Sequence, residues 1–356
     1  MGLSKPFEGL KVIELASVLA GPVTGMFFAE LGADVIKIEN PISGGDITRK
    51  WKLPSENSAG ETSAYYNSSN WGKEVLYLDI SESFGKESLF QLLSTADVLL
   101  LNFKSGDAEK FKVDYDSIAE LFPQLIYAHI TGYGENDPRP AFDLVMQAET
   151  GFMSMNGTPE SGPLKMPVAI IDLMAAHQLK EGILVGLLQR AKTGKGCCVH
   201  VSLFDAAVAS LANQASNFLV ANHISGLSGS LHTNIAPYGE TFLCSNQRHV
   251  VLAVGNDAQF AALCHALALP ELVADYRFVT NQARVSNRKE LYQLLLTGFA
   301  ARNSTEISLL LEQATVPFAL VKNVGEILSS PSSQALILDK KCVRTAVFTI
   351  RSSNEV

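Results

Sequence analysis

Lys165-Met166-Pro167-Val168-Ala169-Ile170-Ile171-Asp172-Leu173-Met174-Ala175-Ala176 sets a single acid between a short extended apolar run and a longer run with helical spacing. Two chemistries fit Asp172. An Asp just before an apolar-periodic segment can be an N-cap, its carboxylate accepting the orphan backbone N–H groups of the first turn. The same position suits a nucleophilic carboxylate, because the positive end of a helix dipole favours the charged form that attacks. The pattern alone favours the cap and predicts an ionised side chain in either case.

Other chemistries find less support. The seven histidines are scattered, with no H-x-x-x-H and no His/Cys cluster at ligand spacing, so no metal site is expected. His177, on the helix after Asp172, reads as a packing residue. Gly132-Tyr133-Gly134 and Gly194-Lys195-Gly196 match neither G-x-G-x-x-G nor the P-loop spacing and read as turns. Ser202 and Ser210 lack the strand-turn-helix elbow of serine hydrolases.

The elements that must position these residues alternate. Short β-branched runs at Lys11–Leu15, Asp34–Ile38, Val75–Leu78, Asp97–Leu101 and Leu125–Ile130 are separated by segments of helical period, one opened by Gly21-Pro22 and one spanning about Phe84–Ser94. Such alternation predicts a largely parallel sheet covered by helices on both faces. Between them, Ile42–Asn70 is rich in Ser, Gly, Asn and Pro, a long excursion of the kind that usually carries function. A helix from Leu173 to about Arg190 ends at Thr193-Gly194, followed by a strand Cys197–Leu203 and a second long helix to about Asn222. The segment from His223, with Gly226 and Gly229 among Ser and His, marks the domain boundary. Beyond it, strands at Tyr238–Cys244 and His249–Val254 and helices near Gln259–Leu267, Arg288–Arg302 and Thr305–Gln313 predict a smaller α/β module.

Composition limits the partners. With 356 residues, 47% hydrophobic and 18% charged, the chain can bury the cores of about two domains. A net charge of −8 argues against a nucleic-acid binder. Five cysteines, odd in number and without C-x-x-C spacing, read as reduced thiols of a cytoplasmic protein. No signal peptide or membrane span is expected.

Longer phrases carry a resemblance. Gly9–Leu15 followed by Ala20-Gly21-Pro22, Leu31–Glu39 with Gly45-Asp46 and Arg49, Asn70–Lys73 with Leu78-Asp79, and Ala96–Val98 with Asn102-Phe103 and Gly106 open the series. Thr131–Gly134, then Asp143, Gln147-Ala148, Gly151, Ile171-Asp172, Thr193–Gly196 and Phe204–Ala206 complete it. In this order and spacing, from about Phe7 to Leu336, the chain resembles the family III CoA-transferases, which include formyl-CoA transferase, carnitine CoA-transferase and the α-methylacyl-CoA racemases.

The resemblance implies a Rossmann-like parallel-sheet large domain (1–222) that binds coenzyme A and holds the catalytic residues, a small α/β domain (223–330), and a C-terminal segment (331–356), abbreviated relative to the family, returning toward the large domain. It implies an intertwined homodimer. It places Asp172 at the family's nucleophile, which takes CoA from an acyl-CoA thioester through an aspartyl anhydride and an aspartyl-CoA thioester and passes it to a free carboxylic acid. Asp143 falls at an acidic position beside that site. For CoA, the co-substrate, the matching positions are Val18, Leu78, Asn102 and Phe103 at the adenine end, with Lys110 and Arg139 as cations near phosphates.

The sequence departs from the pattern at Leu19, where formyl-CoA transferase has an oxyanion-assisting Gln, and at Ser81 and Thr131, where it has CoA-site lysines. The racemase alternative needs a His directly before the acid of the 143 region, and here that position is Phe142. A non-catalytic CoA-binding protein is the third reading.

Overall fold

Val12, Ile13, Val35, Ile38, Val98 and Leu99 put apolar side chains on successive strand residues, a pattern suited to strands buried on both faces rather than on one. The computed structural model, which describes residues 5–350, shows that arrangement. Strands β1 (Lys11–Leu15), β2 (Asp34–Glu39), β3 (Glu74–Tyr77), β4 (Val98–Leu101), β5 (Ile126–Thr131) and β6 (Cys197–Ser202) form one parallel sheet in the order β3-β2-β1-β4-β5-β6. The mixed α/β architecture with a central parallel sheet is the one the alternation predicts. Register pairs Val12 with Val35 on one side and Val98 on the other, so alternate residues feed two cores. One face, with Val12, Leu100 and Ala128, packs against α1 (Ala20–Glu30) and α4 (Ile170–Thr193). The other, with Ile13, Leu99 and Tyr127, packs against α2 (Ser83–Leu93). Between these helices in sequence lies α3 (Asp143–Glu149).

Strand direction of travel across the sheet reverses between β1 and β4, and a crevice opens outside their carboxyl ends, where doubly wound folds bind ligands. Its floor is braced by buried charge. Lys37 Nζ of β2 donates to Glu14 Oε1 of β1 (3.0 Å) and to the Ala16 carbonyl (2.6 Å), and lies 3.1 Å from Asp46 Oδ2. Lys73 Nζ reaches Glu14, the Pro22 carbonyl and Asn70 Oδ1. Gly25 lets α1 cross Glu14, since a Cβ there would collide with that carboxylate. The 42–70 excursion is tied down at the same place: Arg49 makes two bonds to Glu39 (2.7 and 2.9 Å) and one to the Tyr66 hydroxyl (2.6 Å).

Contacts divide the chain into two units. The first comprises the described residues up to Phe152, Lys165–Ser216 and those from Ser332 onward, and the second comprises Met153–Leu164 and Asn217–Pro331. The second unit carries an antiparallel sheet of β7 (Tyr238–Leu243), β8 (His249–Ala253) and β9 (Phe318–Leu320), with β8 in the middle. Phe242 stacks on Phe299 at 4.3 Å in its core. Residues 153–164 join this unit through the Gly157–Thr158/Gly162–Pro163 hairpin, where Gly229 N–H donates to the Gly157 carbonyl.

Two expectations need correction. The helix expected from Leu203 to Asn222 is two helices, α5 (Leu203–Ala209) and α6 (Asn213–Ala221), because Ala212 adopts a left-handed φ of 49° that no helix continues through. The third strand of the small sheet, β9, is three residues long and too short to show alternation.

In the first unit, the buried Glu30 carboxylate at the end of α1 accepts from Thr345 N–H (2.6 Å), the Thr345 hydroxyl (2.7 Å) and Ala346 N–H (3.3 Å). Glu30→Ala strands these donors and should lower stability by about 2–4 kcal/mol. Urea melts would show it as an earlier midpoint, together with faster proteolysis in the 340s. A variant matching the parent in both would refute the anchoring role.

Candidate active site

The loop after β1 is held in an uncommon shape. Val18 has φ 72°, a strained value for a β-branched residue, and its N–H is gripped by Asp46 Oδ2 at 3.2 Å. The preceding Ser17 is clamped by Asn102 after β4: Ser17 N–H donates to Asn102 Oδ1 (3.0 Å), and Asn102 Nδ2 donates to the Ser17 carbonyl (2.8 Å). The amide of Asn102 is therefore committed to shaping the loop.

Asp172 lies in the first turn of α4 and is not its cap. The cap position is Ala169, which offers no side-chain acceptor. The capping acceptor comes from another helix: Asp143 Oδ1 accepts from Ile171 N–H at 2.7 Å and from Asp172 N–H at 3.4 Å. Gln147 Nε2 donates to the second Asp143 oxygen (2.6 Å), while Gln147 Oε1 accepts from Met166 N–H (2.7 Å). The extended run before α4 is thus pinned at both ends to α3.

Freed from capping, the Asp172 carboxylate accepts no hydrogen bond among the described residues, and the residue is only 8% exposed. Burial, reinforced by the nearby negative charge of Asp143, pushes its pKa up to about 7. The expectation of a carboxylate kept ionised by the helix dipole is overturned, because burial and like charge outweigh it. His177, expected to pack, is exposed.

Asp172 opens into a cleft whose walls include Val18, Leu19, Asn102, Phe103, Thr131 and Arg139, so the structure gathers four of the expected ligand-binding positions around it. Leu78 lines a second cleft, with Lys37, Asn40, Asp46 and Phe111, which shares Ser17 and Phe103 with the first. Lys110 lines neither cleft. It is solvent-facing, with its Nζ 5.5 Å from the Phe111 ring. The Arg139 guanidinium sits 3.6 Å from the Tyr133 ring centroid and bonds Asp137. Among the described residues no group of three His, Cys, Asp or Glu side chains is placed to hold a metal.

The sequence reading missed Tyr65. Its phenol is pushed up to about 12 by burial and by the charges of Asp172, Asp143 and Asp46, and its ring meets Trp51 edge-on at 5.0 Å. Both residues lie in the excursion, whose composition signalled function without singling out a side chain.

The raised pKa has a thermodynamic consequence. Asp172 holds its proton more tightly when folded, so its contribution to stability is complete below the ordinary Asp range and is lost as pH rises through about 7. Asp172→Asn, a neutral isostere, should be more stable than the parent above neutrality by on the order of 4 kcal/mol and show no such gain near pH 4. Asp143→Asn preserves the cap, since Asn caps about as well as Asp, and should lower the Asp172 pKa. Urea melts across pH, with carboxyl NMR titration, check both. Parent and Asp172→Asn stabilities that run parallel across that range would contradict the assignment.

Comparison with known proteins fits this geometry. The model of the family described as CoA-transferase family III matches residues 7–341. A succinate–glutarate CoA-transferase of Agrobacterium fabrum is 38% identical over 93% of this chain and 83% of its own. A human succinyl-CoA:glutarate CoA-transferase is 35% identical over 92% of this chain and 74% of its own. The crystal structure of a CAIB/BAIF family protein from Brucella suis superposes with a TM-score of 0.85 at 37% identity, covering 99% of this chain and 93% of that one. With the family model spanning nearly the whole sequence and two relatives above 30% identity, the chain belongs to CoA-transferase family III.

Proposed function

We propose that the chain transfers CoA from an acyl-CoA to a free carboxylic acid through covalent chemistry on Asp172. The observation that carries this is the state of the carboxylate: buried, without hydrogen bonds, and relieved of helix capping by Asp143. A desolvated carboxylate is a stronger nucleophile than a hydrated one. One Asp172 oxygen attacks the thioester carbonyl and the C–S bond breaks, giving an acyl-aspartyl anhydride and CoA thiolate. The thiolate attacks the Asp172 carbonyl, forming an aspartyl-CoA thioester and releasing the first acid as its carboxylate. The acceptor carboxylate repeats these two steps in reverse, leaving new acyl-CoA and free Asp172. No proton enters or leaves the cycle when the acids react as carboxylates.

CoA would lie along the two clefts, with Val18, Leu78 and Phe103 at its adenine end, Asn102 fixing the loop beneath and Arg139 near phosphate. Lys110, outside both clefts, is assigned no contact. The named relatives act on succinate and glutarate, so short dicarboxylic acids are the first substrates to test. An α-methylacyl-CoA racemase would need a base where Phe142 stands.

We also propose an intertwined homodimer in the cytoplasm. Support comes from exposed apolar side chains at Val185 and Leu188 of α4 and at Phe218, Leu219 and Val220 of α6, a density unusual for a free surface. The five cysteines are free thiols, as a reducing compartment favours.

Hydroxylamine added during turnover with succinyl-CoA should leave a hydroxamate at Asp172. Asp172→Asn should keep its fold and CoA binding but lose transfer, and the parent's rate should rise with pH through about 7 as the carboxylate ionises. Transfer by a folded Asn variant, verified by mass as undeamidated, would overturn the mechanism. Light scattering at micromolar concentration should report a dimer, and an active monomer would exclude the interlocked assembly.

A further inference from the structure

His129 and His200 are 71 positions apart in sequence, and register makes them neighbours: they are paired residues of β5 and β6. Their rings lie 5.8 Å apart at 70° on one face of the sheet. Each reaches a different wall of the catalytic cleft. His129 Nε2 is 3.1 Å from the Phe103 carbonyl in the loop after β4. A carbonyl only accepts, so this nitrogen carries the proton. His200 Nε2 is 2.9 Å from the Thr131 hydroxyl at the end of β5. That hydroxyl oxygen also accepts from Gly134 N–H at 3.1 Å, so one hydroxyl ties His200 to the turn after β5. Phe103 and Thr131 both line the cleft that holds Asp172.

We propose that His129 and His200 are a positioning pair that holds the loops after β4 and β5 in the arrangement that binds acyl-CoA, and that protonation of the buried His129 favours their release. The proposal rests on the CoA-transferase reading of the cleft. Its chemistry is simple. The Phe103 bond is made by the Nε2–H of His129 in either protonation state, so what a second proton meets is burial: the residue is 7% exposed and the His200 ring lies 5.8 Å away. Burial, then the like charge of His200, lowers the pKa of His129 against the opposing pull of the Phe103 carbonyl, Glu135 and Glu109. Tyr127, one step back on the same strand, faces the ring edge and is neutral over this range. The competent arrangement therefore binds fewer protons than an opened one, and affinity falls as pH drops through the ordinary His range near 6.5.

The test measures KM for succinyl-CoA, KM for glutarate and kcat from about pH 5.5 to 8, with CoA affinity from calorimetry in the same series. The wild type should lose CoA affinity toward the acid end. His129→Leu should raise KM for the acyl-CoA by roughly two- to tenfold at neutral pH, the effect of one lost hydrogen bond, with kcat and the glutarate KM unchanged. His129→Gln, whose amide can still donate to the Phe103 carbonyl, should recover the neutral-pH value and flatten the acid loss. A folded His129→Leu with wild-type CoA affinity, or a fall in kcat alone, would overturn the proposal, as would an undiminished acid loss in the His129→Gln, His200→Gln double variant. Calorimetry judges the pair even in a protein that transfers nothing, so failure of the transferase reading shows separately as CoA binding without turnover. A wild type that binds no CoA would end both.

Discussion

The Lys37 ammonium is the constraint on which the site depends. All three of its donors are directed to oxygen, and they reach β1, the loop after β1 and the excursion. Burial alone would push its proton off, but Glu14 and Asp46 more than offset that, and its pKa stands above the ordinary value. Removing one member of such a cluster costs about 3–5 kcal/mol because the remaining charge is left buried and unpaired. What the cluster secures is geometry. Asp46, held by Lys37, grips the N–H of Val18 and keeps that residue in a conformation its side chain disfavours. The shape of the cleft wall is therefore sustained by electrostatics one layer beneath it. Lys73, the second cation on Glu14, is pushed down to about 7 by burial, so this layer holds a lysine that exchanges its proton near neutrality.

Two acidic side chains close together usually divide their work by pKa, and here the division is also one of hydrogen bonds. Asp143 takes the N–H groups of α4 and the Gln147 amide. Asp172 receives none and is left with desolvation and repulsion. In the proposed mechanism, the neutral adduct formed on Asp172 relieves both penalties at once. The cost is met by the cap and by the packing of α4 against α1, where the Thr24 hydroxyl lies within 3.4 Å of the Ala176 carbonyl.

The strands were legible because burial on both faces leaves nearly continuous apolar runs, and the end of α4 was legible because Gly194 adopts the left-handed φ that closes a helix. The candidacy of Asp172 could be read from the ordered phrases around it. Its local role could not, because the residue that caps α4 lies 29 positions upstream on another helix. Lys37 looked like the polar alternate of a strand and is wholly buried; only the meeting of β1, β2 and the excursion reveals its partners. His129 and His200 were two of seven scattered histidines until strand register brought them together. Ala212 gave no warning, since alanine is the best helix former and only the observed backbone shows the break.

The Glu30 anchor bears on biosynthesis. The last residues it holds, Thr345 and Ala346, emerge from the ribosome long after the sheet they help to cover. At roughly 5–20 residues per second, the stretch between α6 and Thr345 takes on the order of ten seconds to make. Throughout that interval α1 lacks the ring of Phe348, which in the finished chain lies 6.1 Å from Phe27. The nascent large unit therefore passes through a stage with apolar surface uncovered and a buried-to-be carboxylate still hydrated, and the last few residues made are the ones that end it.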